Sequence, residues 1–229
     1  MRTLTPIEAR VLATLMEKAR TVPDSYPLSL NALVLGCNQK SSRDPLMEVA
    51  DNEVRSAIDS LKLQSLVFEA SSSRVPRYEH NFQRAAAVTE AQAVVMGLLM
   101  LRGPQTAAEL RTSGDRWYKF SDTAALEAVL QELQHRGDSG GQAMVQKLPR
   151  APGAREQRWA HLLCGEPDLQ SFALAPFASD ASDLLARVTA LENSMARLKA
   201  ENLQLRAHIT TISEQLGIEL AVDPAQSPL

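Results

Sequence analysis

The first apolar residues step along the chain by threes and fours. Ile7, Val11, Leu12, Leu15 and Met16 share one helical face, directly after Thr5, Pro6 and Glu8. Threonine with glutamate three residues on and proline between them is a reciprocal helix cap, so a helix begins here. The signal returns at Thr89 to Gln92, and Val95, Leu99 and Met100 stand where Val11, Leu15 and Met16 stood. A shorter apolar segment follows each: Leu30, Leu33 and Val34 behind Ser29, and Leu110 behind another box at Thr106 to Glu109. Third helices are expected from Val54, Ile58 and Leu61, and from Leu126, Val129, Leu130 and Leu133 after a cap at Ser121.

Behind each third helix lie strand-like pieces, SLVFEA with SSSRVPRYEH, and AMVQKLPR with APGAREQRWAH, separated by Ser, Gly and Pro. Three helices followed by a β-hairpin is the winged-helix variant of the helix-turn-helix, with the hairpin as the wing. The expected fold is mainly α with small β-hairpins, an α+β chain of two tandem winged-helix domains over residues 1–87 and 88–165.

The end of the chain follows a different period. Leu184, Leu191, Leu198, Leu205 and Ile212 fall at heptad position d, and Val188, Met195, Asn202, Ile209 and Leu216 at position a. Leucine at d with one asparagine at a is the pattern of a parallel two-stranded coiled coil, in which paired amides fix register and strand number. Flanking charges agree, since Arg187 would face Glu192 and Glu201 would face Arg206 across the seam. The expected layout is a linker at 166–182, a coiled-coil helix at 183–217 that pairs the chain with itself as a homodimer, and a tail at 218–229. The alternative is one amphipathic helix lying on its own domain.

Composition narrows the function. The 229 residues are 45% hydrophobic, with no run approaching the ~20 apolar residues of a membrane span and no signal-peptide core. A cytoplasmic protein without membrane contact is expected. Cys37 and Cys164 have no framework spacing, so no disulfide is expected. Lys and Arg against Asp and Glu number 11 to 10 in residues 1–87, 9 to 8 in residues 88–165 and 4 to 9 beyond. Near-neutral heads leave nucleic acid open as a partner without advertising it.

Chemistry is thinly signalled. Cys37, in GCNQKSSRDP, has no nucleophile elbow or neighbouring base, and His161 with Cys164 supplies two ligands where a structural zinc needs four. No catalytic residue, metal or cofactor is expected. The stretch reads as a long turn between the second and third helices, with Lys40 and Arg43 as candidate phosphate contacts.

Four segments, YPLSLNALVLGCNQKSSRDPLM, LLMLRGPQTAAELR, DRWYKFSD and LPRAPGAREQRWAHLLCG, resemble the YceH-type family of uncharacterised bacterial proteins. The resemblance covers roughly residues 4–165 and implies tandem winged-helix domains, a coiled-coil tail, a cytoplasmic location and no cofactor. It supplies no catalytic residue. Ala50 departs from it, standing where the resemblance implies a serine capping the third helix.

The third helices are poor in base: Asp51, Glu53 and Asp59 against Arg55 and Lys62, and Asp122, Glu127 and Glu132 with no base. Positive charge gathers instead in turns and wings. Besides Lys40, Arg43 and Arg55, the candidate DNA contacts are Arg74, Arg77, Arg111, Arg116, Lys119, Lys147, Arg150, Arg155 and Arg158. Trp117 and Phe120 interleave with bases as a stacking platform would, although apolar packing accounts for them more simply. A non-enzymatic DNA-binding regulator that grips duplex DNA through wings and basic turns is the first expectation. A scaffold that binds other proteins is the second.

Overall fold

The structure, a computed structural model, describes residues 2–70, 75–136, 142–151 and 153–167, together with Met195 and Asn202. The chain divides into two compact units, Met1–Leu174 and Ala175–Leu229. Of the expected seam, Met195 and Asn202 are helical and exposed. Leu184, Val188, Leu191, Leu198, Leu205, Ile209, Ile212 and Leu216 lie outside the described residues, as does most of the expected linker.

The first unit is α+β. Helix α1 spans Pro6–Thr21, and Thr5 and Glu8 close the expected box, the Glu8 carboxylate accepting from Thr5 N–H at 2.7 Å. A 3-10 turn at Pro23–Ser25 leads to strand β1, Leu28–Ser29, and Ser29 caps α2, Leu30–Cys37. Helix α3 is Asp51–Leu63, strand β2 is Val67–Ala70 and strand β3 is Arg77–His80. A short helix α4, Phe82–Ala86, connects to the second series. That series is α5, Glu90–Arg102; α6, Ala107–Gly114; α7, Thr123–His135; β4, Val145–Lys147; and β5, Trp159–His161.

One cap differs from expectation, and a second is incomplete, as Ala50 implies. Helix α7 is capped by Asp122, whose carboxylate accepts from Ala125 N–H at 2.7 Å, and Ser121 stands one residue outside. At α3, Ala50 holds the cap position and Glu53 accepts from its N–H at 2.8 Å. The reciprocal bond is missing, because alanine has no side-chain oxygen.

The first sheet has three strands rather than two, in the order β1-β3-β2, all antiparallel. The second pairs β4 with β5, and Gln105 bridges to Trp159 just as Leu28 pairs with Tyr78 in the first. The two series therefore share a finer correspondence than helix count. Pro27 and Pro104 precede the pairing residue, Ser29 and Thr106 cap the following helix, and Val67 opposite His80 matches Val145 opposite His161.

One apolar core runs through both series. Val11, Leu12, Leu15 and Met16 of α1 and Val94, Val95, Leu98 and Leu99 of α5 are sealed from water, and α1 packs against α5 as well as α2 and α3. The division expected between residues 87 and 88 lies within this compact unit. Trp117 and Phe120 pack against the same core. Gly97 makes room for the indole, since a Cβ there would stand 2.7 Å from Trp117 Cζ3.

Candidate functional site

The stretch that begins at Gly36 is built around buried charge. Arg10, Thr14 and Glu17 form an i, i+4, i+7 stripe on α1, and all three are buried. Cys37 donates to Thr14 Oγ1 at 3.7 Å, and burial pushes its thiol up to about 11, so it stays protonated at neutral pH. The Arg10 guanidinium donates to the carbonyls of Cys37 at 3.1 Å and Pro45 at 2.6 Å. Arg43 reaches back from the turn to Glu17 with two bonds of 2.6 and 3.2 Å and donates to the Gly36 carbonyl at 2.9 Å.

Arg43 was a candidate phosphate contact, and the structure corrects this. Its side chain is wholly buried, with Glu17 as its carboxylate partner. Burial alone would raise the Glu17 carboxyl, but the Arg43 hydrogen bonds and charge outweigh it and hold the group below its ordinary value. The rest of the turn is equally tied down. Asn38 makes a two-way bridge to Val49, 2.9 Å to its carbonyl and 2.8 Å from its N–H. Asp44 N–H donates to Leu101 C=O at 2.8 Å, and Arg102 donates to Ser42 Oγ at 2.7 Å. The stretch thus locks the turn to α1 and to the end of α5. Sequence reading missed Arg10 and Glu17, whose signal was two charges among the apolar positions of α1.

The remaining candidates fall into three groups. Lys40 is exposed but pairs with Glu48 at 3.2 Å. Arg77 and Arg158 occupy matching places in β3 and just before β5, donating to the carbonyls of Pro27 and Pro104, each at 2.8 Å. Arg158 also pairs with Glu109 at 2.7 Å, tying the second hairpin to α6. These are positioning residues. Arg55, Arg111, Arg116, Lys119, Lys147, Arg150 and Arg155 are all exposed, and among the described residues none has a carboxylate within 4.0 Å. Six of those seven lie in the second series. Arg74 lies outside the described residues.

The second hairpin is well braced where it leaves the core. Lys147 stands opposite Trp159 in the ladder, with its ammonium 5.3 Å from the indole centroid. Leu148 N–H donates to Arg158 C=O at 2.8 Å, and the Gln157 amide donates to Leu148 C=O at 3.0 Å, extending the hairpin toward Arg150 and Arg155. Lys147, Arg150 and Arg155, exposed and with no carboxylate within 4.0 Å among the described residues, can together attract polyanions. Among the described residues no group of three or more His, Cys, Asp or Glu is arranged to hold a metal ion, and no helix is long and apolar enough to cross a membrane.

Comparison with known proteins places this arrangement. A family model described as "Protein of unknown function, DUF480" matches residues 4–154. The chain belongs to the DUF480 family. A UPF0502 protein of Polaromonas sp. (strain JS666 / ATCC BAA-500) is 78% identical over 96% of this chain and 94% of its own length. A UPF0502 protein of Delftia acidovorans is 54% identical over 98% and 96%. One of Burkholderia orbicola is 48% identical over 96% and 92%. The DUF480 match spans the turn, both sets of helices and β4, and ends before β5.

Proposed function

We propose that this protein is a non-enzymatic DNA-binding regulator, built as two tandem winged-helix modules whose second member carries the main contact. What supports this reading is the distribution of charge. Arg111, Arg116, Lys119, Lys147, Arg150 and Arg155 are exposed without carboxylate partners among the described residues, whereas Arg43 is buried and Lys40 is paired. The second wing is the natural grip on the phosphate backbone, since its bases extend beyond a hairpin anchored by Arg158. Acidic α3 and α7 leave base reading secondary, so binding is mostly independent of sequence.

Fluorescence anisotropy with a random-sequence duplex across a salt series tests this. Affinity should fall steeply with salt, and Arg150→Ala with Arg155→Ala should weaken binding to every sequence and flatten the log-log slope by about 1–2. No binding even at low salt would end the reading.

A protein-binding role for the first module is the second reading. Among the described residues, every exposed large hydrophobic of the first unit lies between Val22 and Val75, including Leu35, Leu46, Leu63 and Phe68. The heptads from Leu184 to Leu216 further support a parallel homodimer, in which two sets of weak contacts act together. Sedimentation equilibrium should give twice the chain mass, and a monomer at all concentrations would exclude the pairing.

A further inference from the structure

The segment that precedes α1 runs beside the exit of the second hairpin, and Leu4 N–H donates to Leu163 C=O at 2.7 Å. At this junction of the two series lies a cleft of about 150 Å³, formed by the start of the chain, the end of α4, the end of α7 and the residues flanking the second sheet. Its polar groups are Arg2, Thr3, Arg136 and Gln142, its apolar wall includes Ala86 and Met144, and among the described residues no carboxylate lines it. The volume is roughly ten times what a single water needs, so an anion with an attached apolar body fits.

The two arginines are unequal. Arg2 is held by Glu8 at 2.7 Å, which offsets its charge. Arg136 has no such partner among the described residues: one nitrogen donates to Ala86 C=O at 3.0 Å and the other to Met144 Sδ at 3.1 Å. A thioether is a weak acceptor, and a guanidinium carries five donors in a planar fork. Arg136 is therefore a half-buried cation with donors to spare at the edge of a partly apolar cleft.

We infer that this cleft binds a small organic oxyanion, a carboxylate or phosphate monoester on a compact apolar body. Arg136 is the bidentate anchor and Arg2 a second donor, with Ala86 and Met144 against the apolar body. None of Lys147, Arg150 and Arg155 lines the cleft, so this binding stands apart from any contact with DNA.

Isothermal titration of the full chain tests the inference with benzoate, phenyl phosphate and, as the neutral control, benzyl alcohol. At least one of the two anions should bind saturably at one site in the millimolar range or tighter, and the alcohol should not. Whichever anion binds tells carboxylate from phosphate. Arg136→Gln should weaken binding about tenfold or more, the loss of one charged hydrogen-bonding group. Because Arg136 also holds the Ala86 carbonyl, Ala143→Leu is the companion variant, filling the cleft while keeping both arginines. Circular dichroism of each variant establishes that it is folded. Absence of saturable binding by either anion, or binding untouched by both folded variants, would overturn the site.

Discussion

Arg43 shows how far a single residue's role depends on what lies behind it. Asn38, Ser41, Ser42, Asp44 and Pro45 made the turn legible, because each favours local backbone bonding over helix. The destination of the arginine was not legible, since its partner Glu17 sits 26 positions earlier on another element. Burying two charges is tolerable only while both are paired, and Arg43→Ala would leave the Glu17 carboxylate with Lys18 alone, at 3.2 Å, so the cost should fall at the low end for a broken buried pair, about 3 kcal/mol. Urea unfolding should show the midpoint falling accordingly. DNA affinity measured on folded protein should stay the same, and a variant of unchanged stability would mean the pair contributes nothing. The Glu17 carboxyl adds an acid limit: its value is depressed in the folded state, so its stabilisation is present above the ordinary carboxylate range and lost as pH falls through the lowered one.

At the scale of elements, the helices were readable because caps and apolar periods are local. The first strand was not. Strand β1 is two residues long and exists only by pairing with β3, about fifty residues on, and its counterpart in the second series is the single bridge from Gln105 to Trp159. Only the assembled sheets reveal that His80 and His161 end the last strand of their series at matching positions, each opposite a buried valine. Burial, with Arg20 nearby in the first case, lowers His80 to about 4, and burial lowers His161 to about 4. In the unfolded chain both accept a proton near 6.5. Their neutral forms thus contribute fully above about 6.5, and that contribution drains away as pH falls toward 4, at up to ~1.4 kcal/mol per pH unit for each. Between pH 6.5 and 5 the depressed carboxylates do not titrate, so the histidines dominate the slope. Unfolding by urea at pH 7 and pH 5 should show the loss, His161→Phe should halve it, and equal midpoints at the two pH values would dismiss it.

At the scale of the molecule, the repeated plan and the shared core make different demands. Two series that each cap, turn and pair in the same order could fold as separate bodies, yet α1 and α5 bury their faces against each other inside one compact unit. The reason lies in α5, which is sealed from Gln92 to Leu101 rather than along one stripe. A helix apolar all round must be covered on every side, and its own series covers only part. Met16 sits at that seam, its methyl group within 3.4 Å of where a Cβ on Gly97 would be. Truncating it should remove about 2–5 kcal/mol, the ordinary cost of a cavity in a closed core. The distribution of that loss is the informative part. With the two series coupled, Met16→Ala should lower hydrogen-exchange protection in α7 as much as in α3, although Met16 belongs to the first series alone. Native-state exchange read by mass spectrometry can follow both helices in one sample. Loss confined to α3, with α7 unchanged, would mean that the halves open independently and that the seam between them carries little of the stability.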